Sequence, residues 1–173
     1  MTKLLSIIAM GCLSFTLFFG CQNAEKPATA EKSVSISAET KPANAVLVEG
    51  LYKAFEKGDI PSVLAGLDSN VVWNEAEGNA YADGNPYKGP DAVLNGVFGR
   101  IGQQWDGFKL VDIELHEMDN DQVLATLRYN GIYKLTGKKI DVQAAHHWKL
   151  RDGKVVSFQQ YADTKQLAEA LIK

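Results

Sequence analysis

Four consecutive segments between Phe108 and Ala162 alternate apolar and polar residues, and this pattern restricts the fold more than any other feature of the sequence. Alternation with a period of two residues is typical of strands with one buried face. Three short turns, Asn120-Asp121, Thr136-Gly137 and Asp152-Gly153, separate the segments. Turns of this length join antiparallel neighbours, so this part of the chain is predicted to form a four-stranded antiparallel meander.

Helical patterns precede and follow the meander. Residues 44–58 carry apolar residues at helical spacing, and Gly58 stands where such a helix would end. A short second helix with Pro61 in its first turn, a β-rich run around Trp73, a helix from Asp91 and a last helix capped by Asp163 complete the order. Helices first and an antiparallel sheet afterwards predict an α+β fold.

The N-terminus has the order of charge and apolar residues that is typical of a secretory signal. Lys3 precedes an apolar stretch that ends in Gly20-Cys21, and this ending resembles a bacterial lipobox. The sequence therefore predicts a lipoprotein signal peptide over residues 1–20 and a lipid on Cys21. An ordinary cleaved signal and an uncut anchor are the alternatives, and Cys12 is the rival lipidation site. Gln22 favours the outer membrane, with the domain facing the periplasm.

Residues 21–43 are rich in Ala, Ser, Thr, Glu, Lys and Pro, and they are predicted to form a disordered tether. Residues 44–173 are long enough for one domain with a hydrophobic core. Both cysteines precede this domain, so neither disulfide nor thiol chemistry is expected in it. The net charge is −3 and no basic block is present, so nucleic acid is not an expected partner.

The order of these elements resembles the nuclear transport factor 2-like superfamily, and within it the SnoaL-like, ketosteroid isomerase-related proteins. The resemblance lies in "NVVWNE", "PYKGPDAV" and the end of the meander, "HHWKLRDGKVVSFQQYADT". It implies a cone in which a strongly curved sheet wraps the helices around a deep pocket. It also implies that the outer face of the sheet can form a homodimer.

The turns predict which strand residues face the cone. A two-residue loop at Asp152-Gly153 would place Arg151 opposite Lys154, His146 opposite Gln159 and Ala144 opposite Tyr161. The same reasoning at Thr136-Gly137 would place Tyr129 opposite Ala144 and Leu127 opposite His146. The residues expected on the inner face are Leu127, Tyr129, Val142, Ala144, His146, Trp148, Leu150, Gln159 and Tyr161. A bulge would turn part of this set outward.

His146 is the central candidate because an imidazole titrates near neutral pH and transfers protons in both directions. The alternative is a neutral, buried histidine bonded to Gln159 or Tyr161. Asp163 and Tyr161 are candidate helpers in catalysis, and Asp163 is also a candidate helix cap. The residues expected to contact a ligand are Tyr52, Phe55, Trp73, Tyr87, Tyr129, Trp148 and Gln159. Glu75 is a second candidate carboxylate.

Three hypotheses follow for the function. The first is an envelope-anchored protein that binds a small apolar or aromatic molecule in the cone. The second is a cofactor-independent isomerase, cyclase or lyase that uses His146 as its acid and base. The third is a dimeric structural or partner-binding module. No metal is expected, because adjacent histidines on a strand point to opposite faces. No cofactor is expected either, and the sequence has no glycine-rich phosphate loop. A steroid isomerase mechanism is not expected, because the predicted interior lacks two acids.

Overall fold

The computed structural model describes residues 43–173 and has the α+β fold that the sequence predicts. The predicted signal peptide, residues 21–42 of the predicted tether and both cysteines lie outside the described residues. No helix within residues 43–173 is long and apolar enough to cross a membrane. The elements are α1 (Ala43–Glu56), α2 (Ile60–Ala65), β1 (Leu67–Asn74), a 3₁₀ turn (Ala80–Gly84), β2 (Tyr87–Lys88), α3 (Pro90–Val93), a π-helical turn (Leu94–Phe98), α4 (Gly99–Gln104), β3 (Trp105–Met118), β4 (Gln122–Tyr133), β5 (Lys139–Arg151), β6 (Lys154–Ala162) and α5 (Thr164–Leu171).

Local chemistry accounts for the buried face of α1 and for the start of α2. One face of α1 is buried, and it includes Val48, Leu51 and Tyr52 at helical spacing. The carboxylate of Asp59 caps α2 by accepting a hydrogen bond from the Ser62 backbone N–H at 3.1 Å. Pro61 lies in the first turn of α2, where a missing N–H costs nothing.

A close approach to a tyrosine explains a glycine in the third helical region. This region runs from α3 through the π-helical turn into α4. A Cβ atom on Gly96 would lie 2.0 Å from the ring of Tyr87, so only glycine fits beside this buried ring. The sequence pattern predicts this helix correctly, although Gly96 weakens the helical propensity there.

The six strands form one curved sheet in the order β2-β1-β6-β5-β4-β3. Strands β3 to β6 form the predicted antiparallel meander, whereas β1 joins β6 in parallel. The helices cover one face of this sheet, and the hydrophobic core lies between the two layers. The largest fully buried side chains include Phe158 and Leu150 from the last hairpin.

The predicted register at the last hairpin is correct only next to the turn. Arg151 pairs with Lys154 as predicted, but a bulge in β6 follows Val155. The bulge adds one residue, so His146 pairs with Gln160 and not with Gln159. A shift of one residue exchanges the two faces of a strand. Gln159 and Tyr161 therefore leave the inner face, and the prediction for them was wrong.

The predicted register between β4 and β5 was also wrong, but the error has no effect on the faces. Tyr129 pairs with Val142 and not with Ala144, because the connecting loop is longer than two residues. The shift is two residues, and the side-chain period of a strand is two. Tyr129, His146 and Trp148 are accordingly buried on the inner face, as predicted.

Candidate functional site

A narrow cavity of about 60 Å³ lies between the helices and the inner face of the sheet. Its wall is largely aromatic and aliphatic, with a few polar groups. The lining residues are Leu51, Tyr52, Phe55, Val63, Trp73, Glu75, Val97, Phe98, Ile101, Phe108, Leu110, Tyr129, His146, Trp148, Phe158 and Gln160. An apolar hollow with a small number of convergent polar groups is typical of a small-molecule site.

A surface groove of about 580 Å³ adjoins this cavity between α1 and β3. Four residues line both the cavity and the groove: Tyr52, Phe55, Phe108 and Leu110. These four side chains form a shared boundary between the cavity and the groove.

His146 is buried, and hydrogen bonds occupy both of its ring nitrogens. Nδ1 lies 2.8 Å from the hydroxyl of Tyr52 on α1. Nε2 is bonded to the hydroxyl of Tyr129 on β4. Burial lowers the pKa of His146 to about 3, so the imidazole is neutral at physiological pH. His146 is therefore a neutral, buried histidine, which is the alternative to an acid or base that the sequence leaves open. Its hydrogen-bond partners are Tyr52 and Tyr129, and not Gln159 or Tyr161.

The two tyrosines continue this hydrogen-bonded chain on both sides. The indole N–H of Trp148 donates to the Tyr52 oxygen at 3.0 Å. The side-chain amide of Gln160 donates to the Tyr129 oxygen at 3.1 Å. The side-chain amide of Asn79 donates to the side-chain oxygen Oε1 of Gln160 at 2.9 Å. The result is a continuous polar stripe along an otherwise apolar wall.

Glu75 ends this stripe and is the acidic group of the cavity. Its side chain is only 2% exposed. One carboxylate oxygen accepts the indole N–H of Trp73 at 2.8 Å, and the other accepts the amide of Asn79 at 2.9 Å. Burial raises the pKa of Glu75 to about 7 against the opposing effect of the Trp73 hydrogen bond. Glu75, and not His146, therefore titrates near neutral pH in this cavity.

Six of the predicted site residues line the cavity: Tyr52, Phe55, Trp73, Tyr129, His146 and Trp148. Glu75, the second candidate carboxylate, lines it as well. Residue spacing predicts its position, because Glu75 follows Trp73 by two residues and shares its face.

The remaining predicted site residues lie outside the cavity. Tyr161 is 56% exposed on the outer face of the sheet, and Gln159 also points away from the interior because of the bulge in β6. Asp163 is exposed and caps α5 by accepting the Gln166 backbone N–H at 3.2 Å. Tyr87 is buried away from the cavity, and its hydroxyl donates to the Tyr81 carbonyl at 2.7 Å. The homodimer, which would use the outer face, stays a prediction.

Two polar residues of the stripe were missed, Asn79 and Gln160. The bulge that turns Gln159 outward brings Gln160 inward, and the sequence carries no clear signal of it. Asn79 lies in the loop after β1, where periodicity predicts no orientation. Among residues 43–173, no group of three His, Cys, Asp or Glu side chains could hold a metal ion.

The raised pKa of Glu75 predicts how stability depends on pH. Between pH 4.5 and 7 the folded state holds this proton more tightly than the unfolded chain does, so stability decreases as pH rises. Glu75→Gln removes the titration, and the stability of the native protein relative to this variant should decrease by about 3 kcal/mol over that range. Urea unfolding of both proteins at several pH values measures the difference. Burial of His146 destabilises the fold as pH falls below 6.5. Both proteins contain this histidine, so its contribution cancels in the difference between their stabilities. A pH-independent difference would contradict the burial of an ionisable Glu75.

Comparison with known proteins agrees with this architecture. The SnoaL-like domain family matches residues 48–158. An NTF2-like protein from Burkholderia thailandensis is 30% identical, with a TM-score of 0.71 over 77% of this chain and all of that one. TerC, crystallised with polyporic acid, is 24% identical, with a TM-score of 0.67 over 75% of this chain and 98% of that one.

A protein from Xanthomonas campestris, provisionally named a polyketide cyclase, is 21% identical, with a TM-score of 0.66 over 75% of this chain and 97% of that one. No curated protein matches the sequence. The family match covers most of the described domain, and the NTF2-like protein from Burkholderia thailandensis shares its α+β architecture. The chain is a SnoaL-like domain protein of the NTF2-like superfamily.

Proposed function

We propose that the domain binds a small, mainly apolar molecule that carries at least one polar oxygen. The observation that supports this most directly is the polar stripe in the aromatic cavity. The stripe holds Glu75, Gln160, Tyr129, His146 and Tyr52, and Tyr52 also lines the surface groove. A buried stripe of this kind costs free energy unless each polar group is bonded, and binding sites are where proteins retain such groups.

The dimensions of the two spaces favour a particular mode of binding. The cavity of about 60 Å³ admits only a small group, whereas the groove of about 580 Å³ admits a larger one. A ligand would therefore insert one polar end past Phe55 and Phe108 and leave its remainder in the groove. TerC shares the fold and was crystallised with polyporic acid, which supports a ligand-binding role for a cone of this kind.

A blocked entrance should prevent binding. Leu110 lies where cavity and groove meet, and Leu110→Trp should weaken the binding of acetophenone by at least about tenfold because the larger ring fills the route. Leu135 is 66% exposed and lines neither the cavity nor the groove, so Leu135→Trp is the matched control. Chemical-shift titration by NMR measures both affinities. Equal binding by the native protein and Leu110→Trp would contradict this route.

A cofactor-independent proton transfer is the second candidate function, and the pKa of Glu75 favours it. A buried carboxyl group with a pKa of about 7 both accepts and returns a proton near neutral pH. His146 is a poor proton carrier, because its imidazolium form is unstable in this environment. The assignment of the acid and base therefore changes from His146 to Glu75. In such a step, the Glu75 carboxylate would take a proton from a carbon beside a carbonyl group and return it elsewhere.

Exchange of the acetophenone methyl hydrogens in D₂O tests this second function. The native protein should accelerate the exchange, with a rate that rises with pH about a midpoint near 7, because the carboxylate is the base. Glu75→Gln should lower the rate at least about 100-fold, whereas His146→Gln should lower it less. Proton NMR follows the loss of the methyl signal. Absence of exchange, or loss in His146→Gln alone, would exclude Glu75 as the base.

We propose in addition that a lipid on Cys21 anchors the protein to a bacterial membrane, with the domain in the periplasm. The order of charge, apolar stretch and Gly20-Cys21 supports this proposal. A ligand bound in the groove would then be held near a membrane surface.

The anchor is tested by one pair of variants. Cys21→Ser should lose the lipid mass and leave the membrane fraction, because the acceptor sulfur is absent. Cys12→Ser should retain both properties, because it keeps the expected site. Mass spectrometry and fractionation of a bacterial host measure these outcomes. Loss of the lipid in Cys12→Ser alone would transfer the site to Cys12.

A further inference from the structure

We propose that the hydroxyl group of Tyr129 is the hydrogen-bond donor to the ligand, and that it selects molecules with an uncharged acceptor oxygen such as a carbonyl. This inference rests on the proposed binding function and names the chemical class of its ligand. It follows from a count of polar hydrogens along the stripe. Tyr52, His146 and Tyr129 carry three such hydrogens, and the two hydrogen bonds among these residues use only two of them.

The orientation of the side-chain amides is the first step of the count. The Oε1 atom of Gln160 accepts the backbone N–H of Ala76 at 3.2 Å, so the atom that faces Tyr129 is the amide nitrogen. The Oδ1 atom of Asn79 accepts the backbone N–H of Tyr81 at 3.1 Å, so Asn79 presents its nitrogen to Gln160. Backbone N–H groups only donate, and they therefore determine both orientations.

The second step concerns the two ends of the Tyr52–His146–Tyr129 series. The indole nitrogen of Trp148 only donates, so Tyr52 accepts at this end. Gln160 donates to Tyr129 at the other end. Neither end of the series therefore offers an acceptor for a tyrosine hydrogen.

The third step is the count itself. The two bonds of the imidazole, one to each tyrosine, need one hydrogen each. Two hydroxyl groups and one neutral imidazole supply three hydrogens. One hydroxyl hydrogen is left over, because among residues 43–173 Tyr52 bonds only to His146 and Trp148, and Tyr129 only to His146 and Gln160. Both tyrosines line the cavity, so the free hydrogen is available to a molecule bound there.

The position of Glu75 places this hydrogen on Tyr129. Glu75 lies on the Tyr129 side of the series, because it is bonded to Asn79, Asn79 to Gln160 and Gln160 to Tyr129, whereas Tyr52 lies beyond His146. Its charge acts on Tyr129 and adds to the effect of burial in raising the pKa of that hydroxyl group. A negative charge stabilises the arrangement in which the extra hydrogen lies closest to it. In that arrangement His146 carries its hydrogen on Nε2 and donates to Tyr129, while Tyr52 donates to Nδ1.

The charge of the cavity determines which acceptor suits this donor. No lysine or arginine is among the residues that line the cavity, whereas Glu75 is. An anionic ligand would be buried without a counter-charge and beside a carboxyl group, at a high cost. A neutral carbonyl oxygen accepts the hydrogen bond of Tyr129 without that cost.

Two measurements test the proposal. The first compares acetophenone with α-methylstyrene, in which a CH₂ group replaces the carbonyl oxygen. The native protein should bind acetophenone about tenfold more tightly, and Tyr129→Phe should abolish this preference. Tyr87→Phe, which removes a buried hydroxyl group outside the cavity, should keep the preference and is the matched control. NMR titration measures each affinity.

The second measurement needs neither a ligand nor a variant. Above pH 7, where Glu75 is charged, the ¹⁵N shifts of His146 in the native protein should show a neutral ring with its hydrogen on Nε2. A hydrogen on Nδ1 would mean that Tyr129 donates to the ring, and this result would overturn the proposal, as would a charged ring.

The outcomes separate this inference from the proposed function. If both probes bind equally well, or if Tyr129→Phe keeps the preference, the donor role of Tyr129 fails while ligand binding stands. If neither probe binds, the proposed binding of a molecule of this size is wrong. The position of the hydrogen on His146 still decides whether Tyr129 or Tyr52 carries the free hydroxyl hydrogen.

Discussion

The hydrogen bonds of Tyr52 with His146 and Trp148 connect the helical layer to the sheet, and the bond between His146 and Tyr129 fixes the imidazole on the sheet. Tyr52 comes from α1, Tyr129 from β4 and His146 from β5, and all three side chains are buried. A buried polar group that loses its partner costs about 1–3 kcal/mol. The helix can therefore pack on the sheet at only one height and rotation without breaking these bonds. An apolar core of the same volume would tolerate small displacements of α1, and the cavity beside it would lose its defined shape.

Burial acts in opposite directions on the two ionisable groups of the cavity. It destabilises the charged form of each, so it lowers the pKa of His146 to about 3 and raises that of Glu75 to about 7. The histidine is consequently a permanent neutral connector, whereas the glutamic acid changes its charge near neutral pH. A histidine in a pocket is the usual candidate for an acid or base. Here the degree of burial reverses that expectation, because the site excludes water from the imidazole more completely than a charged ring permits.

The sequence predicts the fold well and the site in part, for reasons that particular residues illustrate. Hydrophobic periodicity and turn residues identify the meander and its inner face, and an error of two residues between β4 and β5 leaves Tyr129 inside. An error of one residue in β6 exchanges Gln160 for Gln159, and the bulge responsible depends on the curvature of the whole sheet. The partners of His146 are distant in sequence, since Tyr52 lies 94 residues away, and no local pattern predicts such a contact.

Residues that support the site from behind determine its chemistry as much as the residues on its wall. Asn79 does not line the main cavity, yet it orients the amide of Gln160 and bonds to Glu75. The loop that carries it turns at Gly78, whose backbone φ of +83° suits glycine, and a Cβ atom there would lie 3.1 Å from Thr164 at the start of α5. The loop at Gly78 and Asn79 therefore lies against the start of the C-terminal helix and also carries a residue that bonds to the polar stripe. A change in such a loop can alter the donor and acid groups of a site while the aromatic wall and the sheet stay the same.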